Sequence, residues 1–173
     1  MYKHTIYLAV FLTLLAIAAA FSFTPIVRIT LQSDAPKETS YELFYAKPIP
    51  YLYEAEQKKS VRMKRCKGNS AGQLKFTLPF GTPTERFRFD LGDQKGCNFT
   101  IYQIEVSARI GLFRKILGPD NFGHIQMTNQ IKKTAQDKKS LTLQSTGNDP
   151  FAIIDMDIPR SMYWSLSGFL LFL

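Results

Sequence analysis

The sequence predicts a mainly β protein: an antiparallel β-sandwich or jelly roll preceded by one N-terminal transmembrane helix. Three observations predict this fold: an uncharged apolar run near the N-terminus, about eight short segments of alternating apolar and polar residues, and turn-forming prolines and glycines between them. A chain of 173 residues has room for one domain and a membrane segment, and its 45% hydrophobic content excludes a disordered chain.

The N-terminal segment, residues 1–27, is predicted to be a membrane anchor. No charged residue lies between Thr5 and Val27, while Lys3 precedes this run and Arg28 follows it. A bilayer core requires about 20 apolar residues of helix, which the run supplies. A cleaved signal peptide is the alternative, because Lys3 and Ala18–Ala20 fit its charged start and its cleavage site. The apolar run continues past Ala20, and this length favours a retained anchor.

Residues 28–160 are predicted to form the sandwich. Successive side chains of a half-buried strand point to opposite faces, so apolar and polar residues alternate along it. Such runs occur at Val27–Gln32, Tyr41–Ala46, Leu74–Leu78, Phe87–Leu91, Phe99–Val106, His124–Thr128, Leu141–Gln144 and Phe151–Ile158. The stretch Gly111–Leu117 is predicted to be a short helix or a bend.

The C-terminal segment, residues 161–173, is uncharged and rich in Leu and Phe. As a helix it would reach only about 20 Å, which is short of a bilayer core of about 30 Å. It is a last buried strand, a segment lying in the membrane interface, or the start of a truncated second span. Tyr163 and Trp164 suit the aromatic belt of a membrane interface, which favours the third interpretation.

Cys66 and Cys97 are the two cysteines of the chain. Two cysteines in an exported domain usually form one disulfide, whereas in a cytoplasmic domain they would stay as thiols. Export therefore predicts a bond between Cys66 and Cys97.

No catalytic residue, metal site or cofactor is predicted. His124 has no Gly-x-Ser-x-Gly motif for a serine triad and no cysteine or histidine spacing of a zinc site. We expect it to be a structural histidine in a strand.

One candidate binding feature is a basic cluster, Lys58, Lys59, Arg62, Lys64 and Arg65, with a second group of lysines at 132, 133, 138 and 139. Either these residues form a solvated loop face, or they attract an anionic partner such as lipid head groups, lipid-linked phosphate or acidic polysaccharide. Export argues against nucleic acid as that partner.

The second candidate feature is a group of aromatic residues between positions 41 and 53. Alternating aromatic residues in a strand are usually core, which is the interpretation for Phe44. Tyr51 and Tyr53 follow Pro48 and Pro50, outside the strand, and are predicted to be exposed for stacking on sugar rings.

Several stretches resemble one family of bacterial envelope proteins. They are Val27–Leu31, Leu43–Tyr45, Phe87–Leu91, Gly96 with Phe99–Val106, and Asn148–Phe151. Together they resemble the exported β-sandwich after the first transmembrane helix of multi-span O-antigen and polysaccharide glycosyltransferases or polymerases and lipopolysaccharide-modifying transferases. The resemblance implies a carbohydrate-binding-like module, and it carries over no catalytic residue.

These observations lead to one expected function and one alternative. We expect a non-catalytic module anchored in the bacterial cytoplasmic membrane, facing the periplasm, that recognises glycan or lipid-linked sugar. The alternative is a structural module that binds another membrane protein.

Overall fold

The computed structural model describes residues 2–22, 24–36, 39–45, 59–65, 71–79, 82, 85–109 and 113–156. Within these ranges the chain forms one α-helix, a 3₁₀ helix at Pro119–His124, and eleven strands. The helix is α1 (Tyr2–Ser22), and the strands are β1 (Pro25–Ser33), β2 (Thr39–Tyr45), β3 (Lys59–Arg65), β4 (Gly72–Thr77), β5 (Arg86–Asp90), β6 (Asn98–Ala108), β7 (Arg114–Leu117), β8 (Ile125–Asn129), β9 (Ile131–Gln136), β10 (Leu141–Ser145) and β11 (Phe151–Asp155).

The strands form two antiparallel sheets, as expected for a β-sandwich. The first sheet has the order β4-β1-β6-β10-β9, and β7 also pairs with β6. The second sheet has the order β3-β2-β5-β11-β8. The prediction of a mainly β, antiparallel fold is therefore confirmed.

Strand β6 organises the first sheet because it is 11 residues long and pairs along both edges. One edge pairs with β1 over most of its length. The other edge pairs with β10 along Asn98–Ile101 and with β7 along Ile104–Ser107. The first sheet therefore branches at the middle of β6.

The core lies between the inner faces of the two sheets and is rich in aromatic rings. Phe76 and Phe99 come from the first sheet, and Tyr41 and Phe89 from the second; each is at most 2% exposed. Tyr41 stacks on Phe89 with 6.0 Å between ring centroids, and it meets Phe99 edge-on across the interior at 6.4 Å. Phe76 meets Phe89 edge-on at 6.2 Å. Such ring pairs add to the free energy of burying their apolar area.

The chain enters and leaves the sandwich at one end, here called the entry end. Strand β1 starts there at Pro25, opposite Ala108 of β6. Strand β2 starts at the far end and returns, so that Tyr45 pairs with Phe87 at the entry end. Strand β11 runs in the same direction as β2 and ends at the entry end, where Asp155 pairs with Arg86.

The sandwich begins earlier than the predicted boundary at Arg28. Helix α1 ends at Ser22, and β1 begins at Pro25, so Ile26 and Val27 are buried sheet residues. A proline disfavours helical conformation at the residue before it and lacks the N–H that a helix interior needs. Within the described residues, no helix has both the length and the mean hydropathy of a membrane span. The predicted C-terminal segment at 161–173 lies outside the described residues.

Three strands differ from the sequence-based prediction. Arg114–Leu117 forms β7 instead of a helix or bend, because half of one edge of β6 is open to pair with it. Strands β3 and β9 were not predicted, since both are rich in Lys or Arg and do not show a simple apolar alternation. His124 is exposed at the end of the 3₁₀ helix, so its assignment to a strand was wrong.

The turn Leu91–Cys97 at the far end depends on two glycines. Gly92 and Gly96 have φ values of +98° and +83°, where side chains other than hydrogen are strained. A Cβ atom on Gly92 would also lie 2.6 Å from Cγ2 of Thr39, whereas a Cβ on Gly96 would have no neighbour within 4 Å. The Thr39 side chain is held in place because Nε2 of Gln94 donates a 2.7 Å hydrogen bond to its Oγ1.

Alanine substitutions should separate these two effects. We expect Gly96→Ala to lower the free energy of unfolding by about 1 kcal/mol through backbone strain alone. Gly92→Ala should cost about 2–3 kcal/mol, because Thr39 must also move. Gly123→Ala is the control, since its Cβ would meet nothing within 4 Å and its φ is not positive. Denaturant unfolding of the three variants measures these differences, and equal losses for Gly92 and Gly96 would contradict the role of Thr39.

Candidate functional site

The predicted basic cluster lies largely on a strand and not in a loop. Lys59, Arg62, Lys64 and Arg65 belong to β3, which is an edge strand of the second sheet. Arg62 occupies the register position opposite Glu42, and Lys64 the position opposite Ser40. The intervening Val61 and Met63 stand opposite the buried Leu43 and Tyr41.

The second group of lysines lies on the opposite side of the sandwich. Lys132 and Lys133 belong to β9, the edge strand of the first sheet at the end of the order away from β4. Lys138 and Lys139 lie in the turn that joins β9 to β10, and all four side chains are exposed. Because β3 contacts β4 of the other sheet and β9 contacts β8, the two basic groups lie at opposite edges of the sandwich. The structure does not bring them together as one anionic binding surface.

The remaining predicted binding residues, Tyr51, Tyr53 and Lys58, lie outside the described residues. They belong to the connection between β2 and β3, whose described ends are Tyr45 and Lys59 at the entry end. The aromatic residues of β2 itself are buried, each at most 8% exposed. Tyr41 and Tyr45 belong to the core between the sheets, whereas Phe44 lies opposite Arg88 on the outer face.

Cys97 is a buried thiol at the far end of the sandwich, and its Sγ lies 3.9 Å from Oε1 of Gln94. Burial raises the pKa of this thiol, and the nearby carboxylates of Asp34 and Asp93 raise it further. Its predicted disulfide partner, Cys66, lies outside the described residues. Cys66 directly follows Arg65, which pairs with Thr39 beside Gln94. The pairing of Cys66 with Cys97 stays a prediction.

A charged and aromatic cluster that the sequence did not reveal lies on the outer face of the second sheet. The guanidinium of Arg88 lies 3.8 Å from the ring centroid of Phe151 and 5.1 Å from that of Phe44. Two of its nitrogens donate hydrogen bonds of 2.6 and 2.8 Å to the carboxylate of Asp90. Such stacking and bidentate pairing fix a guanidinium in place.

The solvent-facing border of this cluster is Asp149. Its carboxylate lies 3.4 Å from Arg88 and has 62% of its side chain exposed, whereas the Arg88 side chain is 11% exposed. Nδ2 of Asn129 donates a 2.8 Å hydrogen bond to the backbone carbonyl of Asp149. Burial raises the pKa of Asp90, and the charges of Asp149 and Glu42 add to this against the opposing effect of Arg88. Arg88 therefore pairs with protein carboxylates, and the Asp149 carboxylate is the exposed one of the cluster.

A second ionic network lies on the outer face of the first sheet. Glu105 receives a 2.7 Å hydrogen bond from Arg28 on Oε1, and bonds of 3.0 and 2.8 Å from Arg114 on Oε2. Arg28 also donates to Oγ of Ser107 at 2.7 Å. Burial raises the pKa of Glu105, but the hydrogen bonds and charge of Arg114 and the charge of Arg28 outweigh it, so this pKa lies below its ordinary value. The network ties β1, β6 and β7 together.

The sequence contained a partial signal for these networks. Arg88 and Asp90 are the polar positions of the alternating run Phe87–Leu91, and their outward direction followed from that alternation. Phe44 and Asp149, which both contact Arg88, are 44 and 61 residues away from it in the chain. Only the strand order β2-β5-β11 brings them together.

The Glu105 network predicts a dependence of stability on pH. The folded-state pKa of Glu105 is lowered, so its stabilising contribution is present above the ordinary value of 4.5 and is lost as the pH falls below it. Glu105→Gln should therefore lower the free energy of unfolding near neutral pH, and its difference from the unaltered protein should shrink as the pH falls below 4.5. Denaturant unfolding across this range measures the difference. Asp90→Asn is the comparison. Because the pKa of Asp90 is raised, its contribution to stability should fall as the pH rises, which is the opposite dependence on pH to that of Glu105. A difference for Glu105→Gln that stays constant with pH would contradict the assignment.

Comparisons with known proteins do not assign this arrangement to a family. No protein-family model, no curated protein and no solved structure matches the chain.

Proposed function

We propose that the chain is a non-catalytic β-sandwich module anchored in a membrane by α1. The observation that carries this proposal is the exposure of the helix. Nine large apolar or aromatic side chains of α1 are 38–71% exposed, among them Phe11 at 62% and Leu14 at 60%. A helix that is apolar all round is stable when lipid or protein covers it, because exposed apolar area on this scale is unfavourable in water.

The topology of the sandwich supports an anchor at the entry end. Helix α1 ends at Ser22, and β1 starts three residues later at the entry end. Strand β11 also ends there, and the N–H of Met156 bonds to the carbonyl of Glu85 at 2.7 Å. The apolar segment 161–173 follows within a few residues of that point. With its entry end facing the membrane, the sandwich could be attached to the membrane through both α1 and this segment.

We propose glycan or lipid-linked sugar as the ligand, in bacterial envelope polysaccharide assembly on the periplasmic side of the cytoplasmic membrane. The resemblance to exported sandwiches of envelope proteins supports the glycan class. The connection that contains Tyr51, Tyr53 and Lys58 leaves from Tyr45 and returns at Lys59, both at the entry end. A sugar carried on a membrane lipid would be presented at the end where this connection starts and finishes. The connection contains tyrosines, which can stack on sugar rings, and a lysine, which attracts phosphate.

Binding of another membrane protein is the second candidate function. The observation that favours it is the exposed edge of β9, whose side chains at 132–136 are all exposed.

The anchored topology predicts which residues react with a maleimide that cannot cross the cytoplasmic membrane. We expect Lys95→Cys, in the exposed far-end turn, to react in spheroplasts without permeabilisation. The unaltered protein is the control for reaction at the buried Cys97. Labelling of Lys95→Cys only after the membrane is permeabilised would contradict a periplasmic sandwich.

The ligand proposal predicts a difference between lipid-linked and lipid-free sugar. The full chain in nanodiscs should bind a polyprenyl-phosphate-linked sugar, and Tyr51→Ala with Tyr53→Ala should weaken binding about tenfold, equal to about 1.4 kcal/mol. Tyr102→Ala is the matched control, because Tyr102 is on β6 with its hydroxyl bonded to Gln32 at 2.8 Å. Lys58→Gln should weaken binding and reduce its salt dependence. Equal loss in the Tyr102 variant, or no binding to any glycan, would overturn the glycan proposal.

A further inference from the structure

The outer edge of β9 is a strand edge without a partner among the described residues. Strand β9 pairs with β10 on one side only. None of the backbone hydrogen bonds outside the two sheets involves a residue between Ile131 and Gln136. An edge strand presents a row of N–H and C=O groups that another extended chain can pair with.

The side chains around this edge carry an excess of positive charge. The segment Ile131–Ser145 contains Lys132, Lys133, Lys138 and Lys139, and Asp137 as its only acidic residue. Asp137 lies within the β9–β10 turn, where its Oδ1 accepts hydrogen bonds of 2.7 Å from the N–H groups of both Lys139 and Ser140. Nζ of Lys133 donates to Oε1 of Gln136 at 2.9 Å, which is a neutral partner. The lysines therefore keep their charge open to a partner in solution.

Lysines on an edge strand also protect a protein against aggregation. The same charges can repel a second copy of the strand and attract an acidic one. A second copy of β9 would place lysines opposite lysines, which is unfavourable. An acidic strand would place carboxylates at those positions, which is favourable. A bulge at Thr134 interrupts the register with β10, and Oγ1 of Thr134 bonds to the carbonyl of Thr142 at 3.1 Å. Such a bulge increases the local twist of the edge.

We propose that the edge of β9 docks an extended acidic segment of a partner protein, which adds a strand to the first sheet. Main-chain hydrogen bonds to β9 provide the affinity, and Lys132 and Lys133 select acidic side chains. This inference goes beyond the recognition of glycan, because it concerns a different surface and a different class of ligand. Tyr51 and Tyr53 are not involved in it.

The test uses the full chain in nanodiscs of neutral phosphatidylcholine, without glycan. The probe is an N-acetylated, C-amidated peptide of about eight residues with a central run of Glu between Thr residues, so that both faces carry carboxylates, because Lys132 and Lys133 are consecutive and lie on opposite faces of β9. We expect saturable binding that weakens with salt. Lys132→Gln with Lys133→Gln should raise the dissociation constant about tenfold. The control variant, Lys95→Gln with Lys115→Gln, removes the same charge outside β9. It should change the dissociation constant less than about twofold.

A second peptide separates strand addition from attraction between charges. Methylation of alternate backbone nitrogens leaves the charges in place and removes N–H groups that a paired strand needs, so it should abolish binding. Amide hydrogen exchange at 131–136 should slow when the unmodified peptide binds and not when the methylated peptide is added. Equal binding of the methylated peptide, or equal loss in the Lys95 and Lys115 variant, would show general attraction to polyanions, acidic polysaccharide included, and overturn the proposal. Binding of the unmodified peptide without slower exchange in β9 would also overturn it.

Discussion

The fold depends on the contact of aromatic rings across the interior between the two sheets. Tyr41 and Phe89 of the second sheet meet Phe99 and Phe76 of the first, and each ring is almost completely buried. A shift of one residue in any of these strands would move its ring to the solvent face, so the rings fix the register of four strands. The outer faces are fixed at the same time, because every buried ring determines which way its neighbours point.

This register places the two ionic networks. Arg88 lies between Phe87 and Phe89, so burial of those rings directs its guanidinium outward to Asp90 and the rings of Phe44 and Phe151. Glu105 lies between the buried Ile104 and Val106, and it joins Arg28 of β1 to Arg114 of β7. Both networks therefore connect neighbouring strands on the outside of sheets whose inner faces are apolar. Of the two carboxylates of the Arg88 cluster, Asp149 is 62% exposed and Asp90 is 16% exposed.

The structure places the basic residues on the edges of the sheets, which the sequence alone did not predict. The two basic groups were interpreted as a loop and its counterpart, and the structure separates them onto edge strands β3 and β9. Positive charge at a strand edge prevents pairing between copies of the same chain. On the proposed reading, the glycan contact depends on the entry end and the protein contact on the edge of β9. Each can therefore be removed without the other.

The sequence by itself determined the mainly β fold and the approximate position of eight strands, because alternation of apolar and polar residues is a local property. Phe44 is buried, but on the outer face beside Arg88 and not in the core between the sheets. The sequence did not determine β3, β7 and β9. Strand β7 forms because half of one edge of β6 is left open, and β9 forms because β10 offers an edge, and both conditions depend on distant parts of the chain. The Arg88 cluster likewise needs the order β2-β5-β11, which joins residues separated by many positions. Strand order decided which charged residues meet, since a side chain's direction is set by its own strand but its neighbours are set by the sheet.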